Sequence, residues 1–234
     1  MSQKEILDVT QILLKYTIPT LKLFASTVIF SIPLGMIVAM LKKCRFKPVA
    51  WLTNLYMLIM RGTPLMLQVI AIYYAIPYLK LSEDLPGPVR SVVDLVDIKS
   101  PNYMFVAVTV AFSLNYAAYF AEIFRGGIEA IPKGQYEAAA CLGMTKSHTF
   151  FRIILPQVIK RILPASSNEI IILIKDTSLA NVIAYSEIIM KAKQQMQLYS
   201  SLTPLFIAGV FYLAATIVLT GIFALIEKKL DYYK

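Results

Sequence analysis

Residues 18–41 form an apolar stretch in which only Lys22 is charged. A helix needs about 20 apolar residues to cross the ~30 Å hydrocarbon layer, so this stretch predicts a first membrane span. Lys22 stands near its start, where a long cationic side chain can snorkel to the interface. Residues 49–79 are the next apolar run, and Arg61 alone is charged in it, within Arg61-Gly62-Thr63-Pro64. The run is too long for one straight span, and its Gly and Pro predict a break. The pattern gives a short interfacial helix over 50–60 and a second span over 64–79. Residues 103–121 carry no charge and predict the third span. Residues 162–185 are apolar but contain Asn168, Glu169, Lys175, Asp176 and Asn181, and predict the fourth; residues 202–226 are charge-free and predict the fifth. Ahead of Tyr16, Ile6, Val9, Ile12 and Leu13 recur at helical spacing. They predict an amphipathic helix within residues 1–16, lying on the outer surface.

Composition agrees. The 234 residues are 58% hydrophobic and 16% charged, with a mean hydropathy of +0.65. Soluble domains carry about 45–50% apolar and roughly 25% charged residues. The expected class is an all-α integral membrane protein with one domain over 1–234, its five-span core at 17–230. A soluble enzyme, a disordered tail and a disulfide-stapled secreted domain are disfavoured. The net charge of +9 would suggest nucleic acid in a soluble chain. In a membrane protein it marks cytoplasmic loops, so no nucleic-acid partner is expected. With the amino terminus outside, segments 42–50, 125–161 and 227–234 hold 13 Lys and Arg, against 7 in the outer segments. The bias predicts amino terminus out and carboxyl terminus in. Glu83, Asp84, Asp94 and Asp97 cluster in the first outer loop. Cys44 and Cys141 have no partner at redox or metal spacing. The start, MSQKEILDVT, lacks signal-peptide features, so membrane entry is expected to rely on the first span.

The inner segment between the third and fourth spans is unusually long. Residues 134–143 read as a short alanine-rich helix ending at Gly143. A second short helix is expected from about Lys146 to Ile154, ending at Leu155-Pro156. Two short helices at a sharp angle make a knob suited to docking into another protein, or an interfacial hairpin with no partner.

Glu137-Ala138-Ala139, then Gly143, Ile153 and Leu155-Pro156, stand at the spacing of the EAA loop of ABC-importer permease subunits. Other stretches resemble the branch serving polar amino acids, the histidine/glutamine type. These are Arg61-Gly62-Thr63-Pro64-Leu65 with Gln68, Asn115-Tyr116 through Tyr119, Ala121-Glu122, Arg125-Gly126, residues 131–135, Asn168-Glu169 and residues 175–179. The resemblance covers roughly residues 15–230. It implies a type I ABC importer fold in a bacterial cytoplasmic (inner) membrane, working by alternating access, with the EAA loop at 126–160. It also implies two copies of an ABC ATPase, a second permease chain (identical or homologous), an extracytoplasmic amino-acid-binding protein and an amino-acid substrate. Coupling to the ATPase would rest on Glu137, Ala138, Ala139, Gly143, Ile153, Leu155 and Pro156. Ala138 and Ala139 would admit a partner's surface closely, Gly143 would permit the turn, and Glu137 would sit near the helix start, where the dipole favours an anion.

No two of the nine glycines are five apart, as a Walker A loop needs, nor four apart, as a nucleophile elbow needs. One histidine, His148, is too few for H-E-x-x-H zinc chemistry. The chain is therefore expected to hold no cofactor, with ATP and Mg in the partner ATPase. Polar groups inside spans cost several kcal/mol unless they face a cavity or pair. The substrate-pathway candidates are Asn115, Tyr116, Tyr119, Asn168, Glu169, Asp176, Thr177 and Ser178. Thr177 and Ser178 suit a carboxylate, and Glu169 and Asp176 an ammonium. Lys175 and Asp176 could instead form an interfacial salt-bridge network holding a dimer. Glu122 and Arg125, three apart, are expected to pair locally, and Arg61 to anchor the break at the headgroups. The alternative reading is an ion-coupled carrier acting without an ATPase. It needs internal repeats or discontinuous halves, and no repeat is present.

Overall fold

The computed structural model describes residues 1–82 and 85–230. Glu83 and Asp84 of the expected acidic cluster, and Lys234 of the inner positive set, lie outside the described residues. The regular structure of the described residues is all helix. Its first element, α1 (Gln3–Lys42), starts at a capping box in which the Ser2 side chain and Glu5 satisfy each other's backbone N–H groups. It is one continuous helix despite Pro19 and Pro33. The expected separate helix over 1–16 is thus the first part of α1. Its apolar positions do form a face, but Val9 and Leu13 are buried against Ile188, Ala192 and Ala208 of the carboxyl-terminal helices. Helix–helix packing takes the surface that the pattern assigned to lipid.

Helices α2 (Lys47–Gly62) and α3 (Leu65–Leu81) meet at an angle of 112°. The break falls at Thr63 and Pro64, as the sequence predicts. The outer segment contains the short α4 (Gly87–Leu95), on which Arg90 and Asp94 pair at 3.9 Å. Helix α5 (Tyr103–Glu129) is the centre of the molecule: two-thirds of its apolar window is buried, against 6% for α10 (Thr203–Leu230). Phe112, Phe120, Ala111, Ala117, Ala118 and Ala121 of α5 are all fully buried. Its alanines let neighbours approach closely, the usual basis of helix association in lipid. The contact with α1 is tightest at Gly35, where an added Cβ would lie 2.7 Å from Phe120 Cβ and 3.0 Å from the Ala117 carbonyl. Helix α10 leaves Val210, Leu213, Ile217, Val218 and Ile222 exposed, a surface suited to a bilayer and not to water.

Among the described residues, α1, α5 and α10 are long and apolar enough to cross a membrane, and the bent α2–α3 pair makes a fourth candidate. The fourth expected span, 162–185, is divided. Helix α8 (Leu155–Asp176) stops at Asp176, a 3₁₀ turn covers Thr177–Ile183, and Ala184 adopts a left-handed conformation (φ 61°). Helix α9 (Ile188–Tyr199) follows, ending at Ser200, also left-handed (φ 47°).

The knob is present in altered form. Helix α6 (Lys133–Cys141) is succeeded by α7 (Lys146–Thr149), capped by the Thr145 side chain. The expected stop at Leu155-Pro156 does not occur. A π turn over Phe150–Ile154 leads directly into α8, with Pro156 in its first turn. Pro156 stands where the π turn passes into α8, one residue after the Leu155 N–H bonds back to Phe150 O.

Candidate functional site: a polar seam and the coupling loop

The α2–α3 break is clamped by side chains from two directions. Gln68 Nε2 donates to the carbonyls of Met60 (3.0 Å) and Thr63 (3.2 Å) and to Thr63 Oγ1 (2.8 Å). Asn115 Nδ2, from α5, donates to Met60 O (2.8 Å) and Gln68 Oε1 (3.0 Å). The helix end at Gly62 frees backbone carbonyls in an apolar setting, and these amides satisfy them. Asn115 is buried, and its Nδ2 is engaged in this clamp.

One residue further along α5, the seam reaches α8. The Tyr116 hydroxyl donates to Asp176 Oδ2 at 2.8 Å. The Tyr116 and Tyr119 rings lie 6.2 Å apart, and the Arg61 guanidinium stands 5.5 Å from the Tyr119 ring centre. Glu169 is half-buried on α8, two turns before Asp176 and within electrostatic reach of both Asp176 and Arg61. Tyr116, Tyr119, Glu169 and Asp176 are therefore brought together. Asn168 is exposed on α8 beside them. Thr177 is not available: it is fully buried, and its hydroxyl donates to Ile174 O at 2.7 Å. Ser178 is half-buried, and its carbonyl accepts from Asn181 Nδ2. Lys175 is exposed, and among the described residues Asp176 forms no salt bridge with it.

An ionic cluster closes one end of the seam. Glu122 pairs with Arg125 as the spacing predicts, and also with Lys42 Nζ (3.1 Å) and Arg61 Nη1 (3.8 Å). Glu129 pairs with Arg125 and with Lys43 (3.3 Å). Arg61, expected to anchor the break at the headgroups, faces Tyr119 and Glu122. The other end contains a residue that the sequence reading missed. Glu187 is fully buried, and its carboxylate accepts from the Ile189 and Met190 N–H groups (2.8 and 2.7 Å) and from the Tyr212 hydroxyl (2.9 Å). It caps α9 and ties it to α10. Burial pushes its carboxyl above the usual range, against these three donors, which pull it down. Glutamate just ahead of an apolar-periodic run was the available signal.

In the candidate coupling loop, Gly143 has φ 70°, and α6 ends with Gly143 N–H on Ala140 O (2.9 Å) and Met144 N–H on Ala139 O (3.1 Å). This paired closure is the Schellman arrangement, which glycine adopts without a Cβ penalty. Glu137 and Ala138 are exposed, but Ala139 is buried within the chain, so only one of the two alanines can meet a partner. Glu137 lies in the second turn of α6, because the helix begins at Lys133; the first-turn dipole argument does not reach it. Ile153 packs into an apolar cluster with Ile131, Ile154 and Val158 under the loop. Leu155 is half-buried and Pro156 exposed. Among the described residues, no three His, Cys, Asp or Glu side chains group to hold a metal ion.

Residues 31–232 match the family described as binding-protein-dependent transport system inner membrane component. The arginine transport system permease protein of Bacillus subtilis (strain 168) is 36% identical over 212 residues, covering 90% of this chain and 89% of its own. The L-cystine transport system permease protein of the same organism is 35% identical over 220 residues, covering 93% and 85%. The fold is similar to that in a crystal structure of an amino acid ABC transporter with histidines, with a TM-score of 0.81, 29% identity and coverage of 98% and 99%. It also resembles a chain of the inward-facing MetNI methionine ABC transporter, at a TM-score of 0.71 and 15% identity over 99% and 100% of the two chains. The helical bundle, its polar seam and these matches together make the chain a member of the binding-protein-dependent transport system inner membrane component family, the permeases of ABC importers.

Proposed function

We propose that this chain forms the translocation pathway of an ATP-driven importer for polar amino acids. The observation that carries the reading is the similarity, along nine-tenths of the chain, to permeases whose names specify amino acids. ATP hydrolysis belongs to a separate ATPase subunit, and ATP and Mg are bound there. The working assembly contains two ATPase copies, a second permease chain and an extracytoplasmic amino-acid-binding protein. The chain resides in the inner membrane, amino terminus outside, with α8 and its 3₁₀ extension completing a fifth crossing. The polar groups of that segment make it unlike the other crossings and suit a pathway wall.

Glu169 and Asp176 receive the cationic groups of the substrate. Tyr116 orients Asp176 through their 2.8 Å hydrogen bond. Ser178 is the remaining hydroxyl of the expected pair, since Thr177 is committed to Ile174. The loop at Glu137, Ala138 and Gly143 is the surface that meets the ATPase, while Ala139 and Ile153 hold its shape from within. Nucleotide-driven movement of the loop is thereby transmitted to α5 and α8, the helices on either side of it.

The test is reconstitution of the full complex in liposomes with binding protein and radiolabelled L-arginine, L-histidine or L-glutamine. Uptake should require ATP on the loop side. Glu169→Ala and Asp176→Ala should change selectivity or uptake with the complex intact. Uptake by the permease alone down an ion gradient would refute the reading in favour of a carrier. If either substitution lowers only assembly, that residue is structural.

A further inference from the structure

We propose that Arg61 binds the carboxylate of the transported amino acid. The inference rests on the amino-acid reading above and adds a second pole to the seam. Asp176 and Tyr116 form one end, and the paired tyrosine rings lead from it to the Arg61 guanidinium. The surface thus runs from a carboxylate to a guanidinium along aromatic faces. Its charge order is complementary to a molecule carrying an ammonium at one end and a carboxylate at the other.

Three observations make Arg61 available for this role. Its only ion pair among the described residues is the 3.8 Å approach to Glu122, beyond hydrogen-bond distance. Glu122 is already satisfied by shorter pairs with Lys42 and Arg125. The guanidinium therefore retains its five donors, whose planar fork matches a carboxylate in two-point contact. Its side chain is 43% exposed, open to a ligand yet set on an aromatic face. Lastly, its backbone is fixed. The Met60 carbonyl, one residue earlier, accepts from both Asn115 and Gln68, so the last turn of α2 is pinned from two helices. A group held this way loses little freedom on binding, as a recognition site requires.

A headgroup anchor would need the positive charge alone. A carboxylate receptor also needs the fork, which lysine lacks. The reconstituted complex is therefore assayed with the best-transported of L-arginine, L-histidine and L-glutamine, and with the α-carboxamide of that amino acid. Wild type should prefer the acid. Arg61→Gln should raise KM for the acid by about tenfold or more, leave kcat within roughly threefold, and remove the preference over the amide. Arg61→Lys should restore part of the KM but less of the preference. Retention of the preference in Arg61→Gln overturns the proposal. A fall in kcat and in complex recovery with the preference intact also overturns it and assigns Arg61 to the clamp. Absence of uptake of all three amino acids by wild type overturns the amino-acid reading, and this inference with it.

Discussion

Gly143→Asp separates the fold of the proposed coupling loop from its use. At φ 70°, any L-residue with a Cβ strains the backbone, by about 1–2 kcal/mol for alanine and less for Asn or Asp. An ideal Cβ at this position meets no atom within 4 Å, so the chain itself adds no steric cost. The Schellman hydrogen bonds at 2.9 and 3.1 Å involve the backbone alone and survive the change. Within the permease, Asp therefore costs about 1 kcal/mol or less, a local shift of under tenfold, and the variant inserts and folds. Alanine is the more strained substitution; aspartate is the one that carries a charge into whatever the loop touches. A loop seated in a partner makes Gly143→Asp the worse transporter, with Gly143→Asn close to wild type. A loop acting through its shape alone makes Gly143→Ala the worse. ATP-dependent uptake in liposomes, with ATPase co-purification on the same samples, distinguishes the two orders. Wild-type uptake by Gly143→Asp, or a larger defect in Gly143→Ala, refutes the coupling assignment.

Gly35→Ala places a methyl 2.7 Å from Phe120 Cβ, a rigid neighbour, and forces α1 and α5 apart. A loss of about 1–3 kcal/mol is expected, read as a lower melting temperature of the detergent-solubilised complex. Tyr116→Phe removes the donor to Asp176 and should weaken transport of cationic substrates by roughly tenfold in KM while assembly is unchanged. Equal effects on neutral and cationic substrates would count against Asp176 as the cation-binding group. Glu187→Ala removes the cap of α9 and the partner of Tyr212, and should cost about 1–3 kcal/mol; Glu187→Gln, which keeps an acceptor, should cost less. Because burial raises its carboxyl, the folded chain holds this proton to higher pH than the unfolded chain. Its contribution to stability therefore falls as pH rises from the ordinary carboxylate range through the folded value, and thermal melts of Glu187→Gln should lose that component of the pH dependence.

Local chemistry was legible in the sequence wherever one short segment decides the outcome. The α2–α3 break follows from Thr63-Pro64, and the reversal after α6 from Gly143, because each depends on backbone limits of the residues themselves. Glu122 and Arg125 were legible as a helical pair for the same reason. The partners that complete each group were not. Asn115 is a clamp only because Met60 and Gln68 arrive beside it, and the Thr177 hydroxyl is spent on Ile174 O where α8 gives way to the 3₁₀ turn. Arg61 illustrates the point most sharply: an arginine at the edge of an apolar run suits headgroups, and nothing nearby in sequence announces Tyr119 and Glu122. Continuity of α1 was hidden by Pro19 and by a change of pattern near Tyr16, since the helices that cover Val9 and Leu13 come almost two hundred residues later.

That unbroken first helix has a mechanical consequence. Forty residues at 1.5 Å each make a rod of roughly 60 Å, about twice the hydrocarbon thickness. A rod of that reach either leans steeply or stands well clear of the lipid at one end, where Val9 and Leu13 grip α9 and α10. Its opposite end grips α5 through Lys42 and Glu122. A tilt imposed at one end must therefore displace the other, so the rod ties the two mouths of the bundle together like a tie-bar between opposing doors.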